Sequence, residues 1–285
     1  MAENRKVAFI TGGSQGIGRA IAEEFARNGY ATAICARTQE DVEKAAGEIA
    51  SRGFGCEGIA LDVTDQKAVA SAMNSVAKKY GGLDVLVTCA GVYGPIGRLE
   101  ENDWQKWQEA ISINLIGTML AIRAALPIMK KQGKGCIITM AGGGVGGKGV
   151  KPNFSSYVTS KFAVCGFTEA MAAELEGSGV RINSISPGAV NTRLLDQALA
   201  SGKNAGEEFL KASAKQKETG GTPPKQAARL ALFLASDEAR SVDGKMLSAV
   251  WDDTAEIARM GDKIRGPLFT LKRIDNALFQ EKKRD

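Results

Sequence analysis

The 285-residue sequence predicts an α/β fold with a doubly wound parallel sheet, forming a single domain with a C-terminal extension. Three observations lead there. Short β-rich runs alternate with helix-periodic segments, the pattern of βαβ units whose sheet is covered on both faces. The first run meets the first helix at a glycine-rich turn, TGGSQGIG, residues 11–18. A hydrophobic content of 44% over this length is enough to bury a substantial core.

The first strand is VAFI, residues 7–10. Ile17, Ala20, Ile21 and Phe25 then recur at helical spacing, with Arg19, Glu23, Glu24 and Arg27 opposite and Gly29 closing the segment. ATAIC (31–35), EGIAL (57–61), DVLVTCA (84–90), CIITM (136–140) and RINSIS (181–186) supply further strands, and KMLSAV (245–250) the last. Helices are expected near 39–51, 65–80, 104–131, 155–177 and 223–235, with Pro127 bending the long 104–131 helix or marking its final turns. Residues 192–222 and the tail after Trp251 break this rhythm, and neither reads as a separate folded domain. Residues 1–250 are therefore expected to form the working domain, with 251–285 appended to it.

Composition removes several classes of chemistry. The chain has no histidine, which excludes a Ser-His-Asp or Cys-His nucleophile, an HExxH zinc site and an imidazole base. Any proton transfer must use Tyr, Lys, Cys or a carboxylate. The five cysteines (Cys35, Cys56, Cys89, Cys136, Cys165) are odd in number and widely spaced, so they read as small buried hydrophobes rather than disulfides or metal ligands. No metal is expected. The net charge of +5 has its most basic segment at 272–285, but Asp275, Glu281 and Asp285 interrupt it, which argues for a solvated surface and against nucleic acid or membrane contact. With no basic-then-apolar leader and no apolar run near membrane-spanning length, a soluble cytoplasmic protein is expected.

A turn such as TGGSQGIG holds a pyrophosphate because backbone N–H groups and the positive helix end point at it, while glycines let the ligand approach. The spaced glycines here are Gly12, Gly16 and Gly18, a TGxxxGxG pattern rather than GxGxxG. About twenty residues further on, where a carboxylate would grip the ribose of NAD, stand Ala36, Arg37 and Thr38. Arginine matches a 2′-phosphate in charge and fork geometry, so NADP(H) is preferred over NAD(H).

In NFSSYVTSKFAV, residues 153–164, Tyr157 and Lys161 stand four apart and so share one helix face. A nearby ammonium stabilises a phenolate, so Lys161 is expected to lower the Tyr157 pKa and fit it for proton exchange with an alkoxide.

With these motifs the sequence resembles the short-chain dehydrogenases/reductases, and the likeness runs from about Lys6 to Val250. TGGSQGIG, LDV (61–63), TCAG (88–91), IN (113–114), YVTSK (157–161) and PGAVNT (187–192) occur in the family's order. The resemblance implies a Rossmann-like sheet and a nicotinamide-dependent oxidoreductase acting on a small carbonyl or alcohol, as a homodimer or homotetramer. It further implies that Tyr157 is the acid/base and that Lys161 tunes it and binds the nicotinamide ribose. Asn114 would hold a water or the backbone in a proton relay. Gly12, Ser14, Gln15, Gly16, Ile17 and Gly18 would line the pyrophosphate and its ribose, Asp62 and Val63 the adenine, Ala90 and Gly91 the close approach. Pro187, Gly188, Val190 and Thr192 would reach the carboxamide side, and residues from about 192 to 222 would form a substrate lid. The family's usual Asn-Asn-Ala-Gly is TCAG here, with Thr88 and Cys89 replacing the asparagines.

The stretch MAGGGVGGKGV, residues 140–150, has glycine at six of the eight positions 142–149. Gly142 to Lys148 satisfies GxxxxGK, but Gly149 replaces the P-loop Ser/Thr and the following Val-Lys-Pro opposes a helix, so a nucleoside triphosphate site is not the reading. A substrate-facing loop is. The serine that the family carries at this strand end falls at Gly142, or at Ala141 in relatives with serine just before a glycine run. Neither has a hydroxyl. Thr139, Ser155, a glycine N–H or a substrate hydroxyl are the candidate substitutes, and slow or specialised turnover is expected. The competing reading is a dinucleotide-binding regulatory or scaffold protein with impaired chemistry. Lys203, Lys211, Lys215 and Lys217 in the lid either meet an anionic substrate or are solvated helix-face residues. In the tail, Trp251, Ile257, Leu268, Phe269, Leu271, Ile274, Leu278 and Phe279 are apolar anchors for a neighbouring subunit or for the chain's own site.

Overall fold

The computed structural model describes residues 5–146 and 150–271. Lys148, Ile274, Leu278 and Phe279 lie outside the described residues. Seven parallel strands form one sheet in the order β3-β2-β1-β4-β5-β6-β7. These are β1 (Val7–Thr11), β2 (Ala31–Ala36), β3 (Cys56–Ala60), β4 (Val85–Thr88), β5 (Gly135–Met140), β6 (Val180–Ser186) and β7 (Met246–Ser248). The strand order reverses between β1 and β4, and the crevice at such a reversal, outside the carboxyl ends of the strands, is where α/β sheets bind ligands.

Central strands are apolar throughout because helices cover both faces: β1 and β4 are buried along their whole length. One core contains α1 (Gly16–Arg27), α2 (Gln39–Ala50) and α9 (Pro224–Leu234), with Ile21, Phe25, Val42, Ile49 and Leu230 against Ile10, Ile34 and Val87. The other contains α3 (Gln66–Tyr80), α5 (Gly117–Gln132) and α6 (Ser155–Glu174), with Met73, Ile122 and Met129 against Phe9, Leu86 and Ile137.

The expected 104–131 helix is two helices, α4 (Trp104–Ile111) and α5, fused through a π-helical turn at Ser112–Ile116. Pro127 sits inside α5, which ends at Gln132 on a left-handed Gly133. Contrary to the expectation of no spanning-length apolar run, Trp104–Gln132 is long and apolar enough to cross a membrane by composition. Core helices of α/β domains share that property, and here Ala121, Ile122, Ala125 and Met129 are buried in the second core.

The stretch 192–222, which had no assigned elements, contains α7 (Arg193–Ala200) and α8 (Glu207–Thr219). α8 carries only one buried residue, Ser213, so apolar periodicity had little to register. Past Trp251, α10 (Thr254–Met260) and the following turn bury Ile257 and Ile264 in the first core.

Candidate active site

Gln15 is the N-cap of α1 and makes no side-chain capping bond, so its side chain claims none of the first-turn amides. Gly12 and Gly16 have φ of 65° and 57°, and a Cβ on Gly12 would lie 2.8 Å from the Ala90 backbone. A Cβ on Gly18 would overlap the carbonyl oxygen of Gly12. Glycine is therefore required here by conformation and by packing, and the turn stays open for an anion at a helix N-terminus. Ala90 N donates to Thr11 Oγ1 at 3.2 Å, tying TCAG to the same turn. Ser14 is half-buried at the turn, and Ile17 packs partly against the first core.

At the edge of this crevice β2 delivers Ala36 and Arg37, with Thr38 capping α2 by backbone geometry alone. Leu61 N donates to Ala36 O at 2.8 Å, which sets Asp62 beside them. Asp62 Oδ1 accepts from Thr64 N and Thr64 Oγ1, and the backbone bond is the main cause of its lowered pKa, with the Arg37 charge a smaller one. Arg37 is exposed and stands 3.9 Å from Glu109 Oε1. The Val63 side chain is buried in the second core, 2.7 Å from a Cβ placed on Gly117.

Across the crevice, Thr192 lies within 3.2 Å of a Cβ placed on Gly16, so PGAVNT and the glycine turn form opposite lips. Gly188 has φ 82°, Val190 N donates to Gly188 O at 3.2 Å and Thr222 N to Ala189 O at 2.8 Å, folding the segment after Pro187 back on itself.

Tyr157 and Lys161 occupy the first turns of α6, which begins at Ser155. Lys161 Nζ donates to Met140 O at 3.0 Å and sits 5.8 Å from the centre of the Tyr157 ring. It also lies 3.8 Å from a Cβ placed on Gly91. The expectation that Lys161 lowers the Tyr157 pKa is not met: burial raises the phenol pKa, with lesser contributions from Tyr93 and Cys89, and burial lowers that of Lys161. Desolvation is the main cause of both shifts. Cys89 is pushed up to about 11 by burial, which keeps it a packed thiol.

Asn114 stands in the π-helical turn and is fully buried. Its Nδ2 donates to Val92 O (2.8 Å) and Ser160 Oγ (2.9 Å), and its Oδ1 accepts from Val92 N (2.8 Å). It therefore clamps the chain after Gly91 rather than reaching the phenol directly. That clamp orients Tyr93, whose ring meets Tyr157 edge-on at 4.7 Å. Phe154 contacts Tyr93 and Phe209, linking α8 to the same aromatic group. Sequence reading missed Tyr93, Phe154 and Phe209, because no local period marks three rings from three elements.

The glycine stretch settles against Tyr157. A Cβ built on Gly142 would lie 2.5 Å from the Tyr157 hydroxyl, whereas Ala141 packs away from it with Val145 and Cys165. Of the two positions considered for the serine, only 142 faces the phenol. Thr139 is excluded as a substitute, because its Oγ1 pairs with Thr168 Oγ1 at 2.8 Å inside the core; Ser155 Oγ accepts from Trp107 Nε1 at 3.0 Å, which leaves its own O–H to donate. Among the described residues no group of His, Cys, Asp or Glu is arranged to hold a metal. Of the lysines expected in a lid, Lys217 pairs with Asp196 at 2.7 Å on the surface.

Fold and site together define an oxidoreductase of the Rossmann-like class. Residues 6–202 match the short chain dehydrogenase family, and the chain belongs to it. The chain is 34% identical over 241 residues to the short-chain reductase protein NovJ of Streptomyces niveus, covering 84% of this chain and 90% of that one. Its fold is similar to that of a single-site variant of actinorhodin polyketide ketoreductase with NADPH (TM-score 0.79, 26% identity, 87% of this chain and 97% of that one). It is also similar to NAD+-bound xylitol dehydrogenase (TM-score 0.78, 27% identity, 86% and 98%).

Proposed function

We propose that the protein reduces a ketone or aldehyde to an alcohol with NADPH, Tyr157 giving the proton, in a site that works without the family's serine. The observation that carries this reading is the pairing of the buried Lys161 with the partly buried Tyr157, Nζ 5.8 Å from the ring centre, beside Gly91 at the carboxyl ends of the strands. The dinucleotide supplies the hydride when bound. Gly12, Ser14, Gln15, Gly16, Ile17 and Gly18 hold its pyrophosphate side, Asp62 and Val63 its adenine. Ala90, Gly91, Pro187, Gly188, Val190 and Thr192 line the nicotinamide end. Lys161 binds the adjoining ribose, and Asn114 positions the wall that carries Tyr93.

Burial keeps the phenol protonated through neutral pH, the form that donates to a developing alkoxide. Near neutral pH the site is accordingly in the form that reduction uses. Gly142 leaves the carbonyl without a side-chain donor from the strand end. A substrate carrying its own hydroxyl next to the carbonyl supplies that hydrogen bond, and the likeness to a polyol dehydrogenase favours such substrates. Arg37 favours NADPH, as in the ketoreductase crystallised with it. Residues 1–250 carry the residues that bind dinucleotide and substrate, in a protein working in the cytoplasm. A homodimer or homotetramer is supported by the apolar groove of Met119, Leu126, Phe167 and Met171 between α5 and α6, flanked by exposed Ile116 and Phe162. Light scattering behind size exclusion tests the assembly.

The activity is tested by NADPH oxidation over a panel of ketones, with and without a neighbouring hydroxyl. Turnover confined to hydroxyketones, and faster with NADPH than NADH, is the expected result; no turnover on any member counts against the reading.

A further inference from the structure

We infer that the tail segment Gly266–Leu271 is a positioning element of the active site, fixing through Leu271 the glycine turn that faces Tyr157. The inference rests on the reading of that pocket as the place of carbonyl reduction.

A turn built from Gly142, Gly143, Gly144 and Gly146 has little conformational preference of its own. Its place must be imposed by what surrounds it. Ala141 N donates to Ile185 O at 2.8 Å and Val145 N to Gly142 O at 3.1 Å, which closes the turn at the end of β5. On one side Gly143 lies against α6, where a Cβ would meet Val158 Cα at 3.2 Å and the Tyr157 ring at 3.5 Å. On the other side Gly146 has no room for a Cβ against the Met246 methyl.

The tail completes the second side. Lys245 Nζ donates to Gly266 O at 2.6 Å, and Met246 N donates to Phe269 O at 2.8 Å, so the segment lies along the outer edge of β7. Phe269 holds φ at 57°, which is unusual for a non-glycine residue, at the point where its carbonyl takes this bond. Leu271 N donates to Glu169 on α6, and its side chain joins Ala141, Val145, Cys165 and Met246 in one small apolar cluster. Ala141 and Val145 flank Gly142. A residue far from Tyr157 in sequence thus sets the wall that a Tyr157-bound carbonyl meets.

Full-length Leu271→Asp, Leu271→Ala and Leu271→Met proteins test this, with hydrogen exchange at the Ala141 and Val145 amides as the first readout. Exchange there should rise in the Asp and Ala variants and stay at the wild-type rate in Met, while β1 and α1 amides do not change. In the ketone assay kcat should fall about 10- to 10²-fold for Asp, less for Ala, with the NADPH Kd unchanged. Unaltered exchange at Ala141 and Val145 in both Asp and Ala variants overturns the inference, as does a rise spread equally over β1 and α1 in the milder Ala variant. The exchange result needs neither substrate nor dinucleotide, so failure of the carbonyl reading appears separately, as absence of turnover in the wild type.

Discussion

A Cβ on Gly142 would sit 2.5 Å from the hydroxyl of Tyr157, so the phenol stands in the space that a larger residue at 142 would need. On the proposed reading the site is built around glycine at 142 rather than merely missing a donor. Gly142→Ser and Gly142→Ala should therefore both lower kcat, by about tenfold or more, since each forces the phenol from its position. A rise in turnover with serine, absent with alanine, would show that the hydroxyl was the missing part.

The pH dependence follows from burial. Tyr157 has a raised pKa, so its proton is retained until pH passes that value. Reduction, which uses the phenol, should be nearly flat from neutral pH into the mildly alkaline range. Oxidation, which uses the phenolate, should climb about tenfold per pH unit over the same range. Rates measured in both directions check this, and an oxidation rate already level at neutral pH would contradict it.

On the proposed reading dinucleotide choice turns on Arg37, which faces Glu109 at 3.9 Å on the exposed rim. Arg37→Ala should weaken NADPH by about tenfold and leave NADH unchanged, as expected of an exposed charge contact. Glu109→Gln should tighten NADPH by freeing the guanidinium. Titration of each protein with both dinucleotides is the measurement.

Thr88 replaces the first asparagine of the family's pattern, and its hydroxyl is buried with no hydrogen-bond partner among the described residues. Thr88→Val keeps the shape and removes the unsatisfied group, which should stabilise the fold by about 1 kcal/mol and raise Tm by roughly 2–4 °C. A fall in Tm would mean that the hydroxyl is in use.

Much of this was legible in the sequence where one local rule decides. The i,i+4 spacing puts Tyr157 and Lys161 on one face of α6, and the glycine turn between β1 and α1 follows from its flanking periodicities. The direction of the Tyr157 pKa was not legible, because spacing gives proximity but not burial, and burial decides it. Ala141 and Gly142 are neighbours whose facing depends on where β5 ends, which alternation alone does not fix. The π-helical turn that seats Asn114 leaves no mark in helical periodicity, and α8 offers little apolar face to find. Leu271 reaches the site through tertiary contact alone.

The most direct test of proton donation by Tyr157 is kcat of Tyr157→Phe on the fastest ketone, with the NADPH Kd measured alongside. Loss of about 10²- to 10⁴-fold in kcat with the Kd unchanged is the predicted result. Turnover within a few-fold of wild type would contradict it.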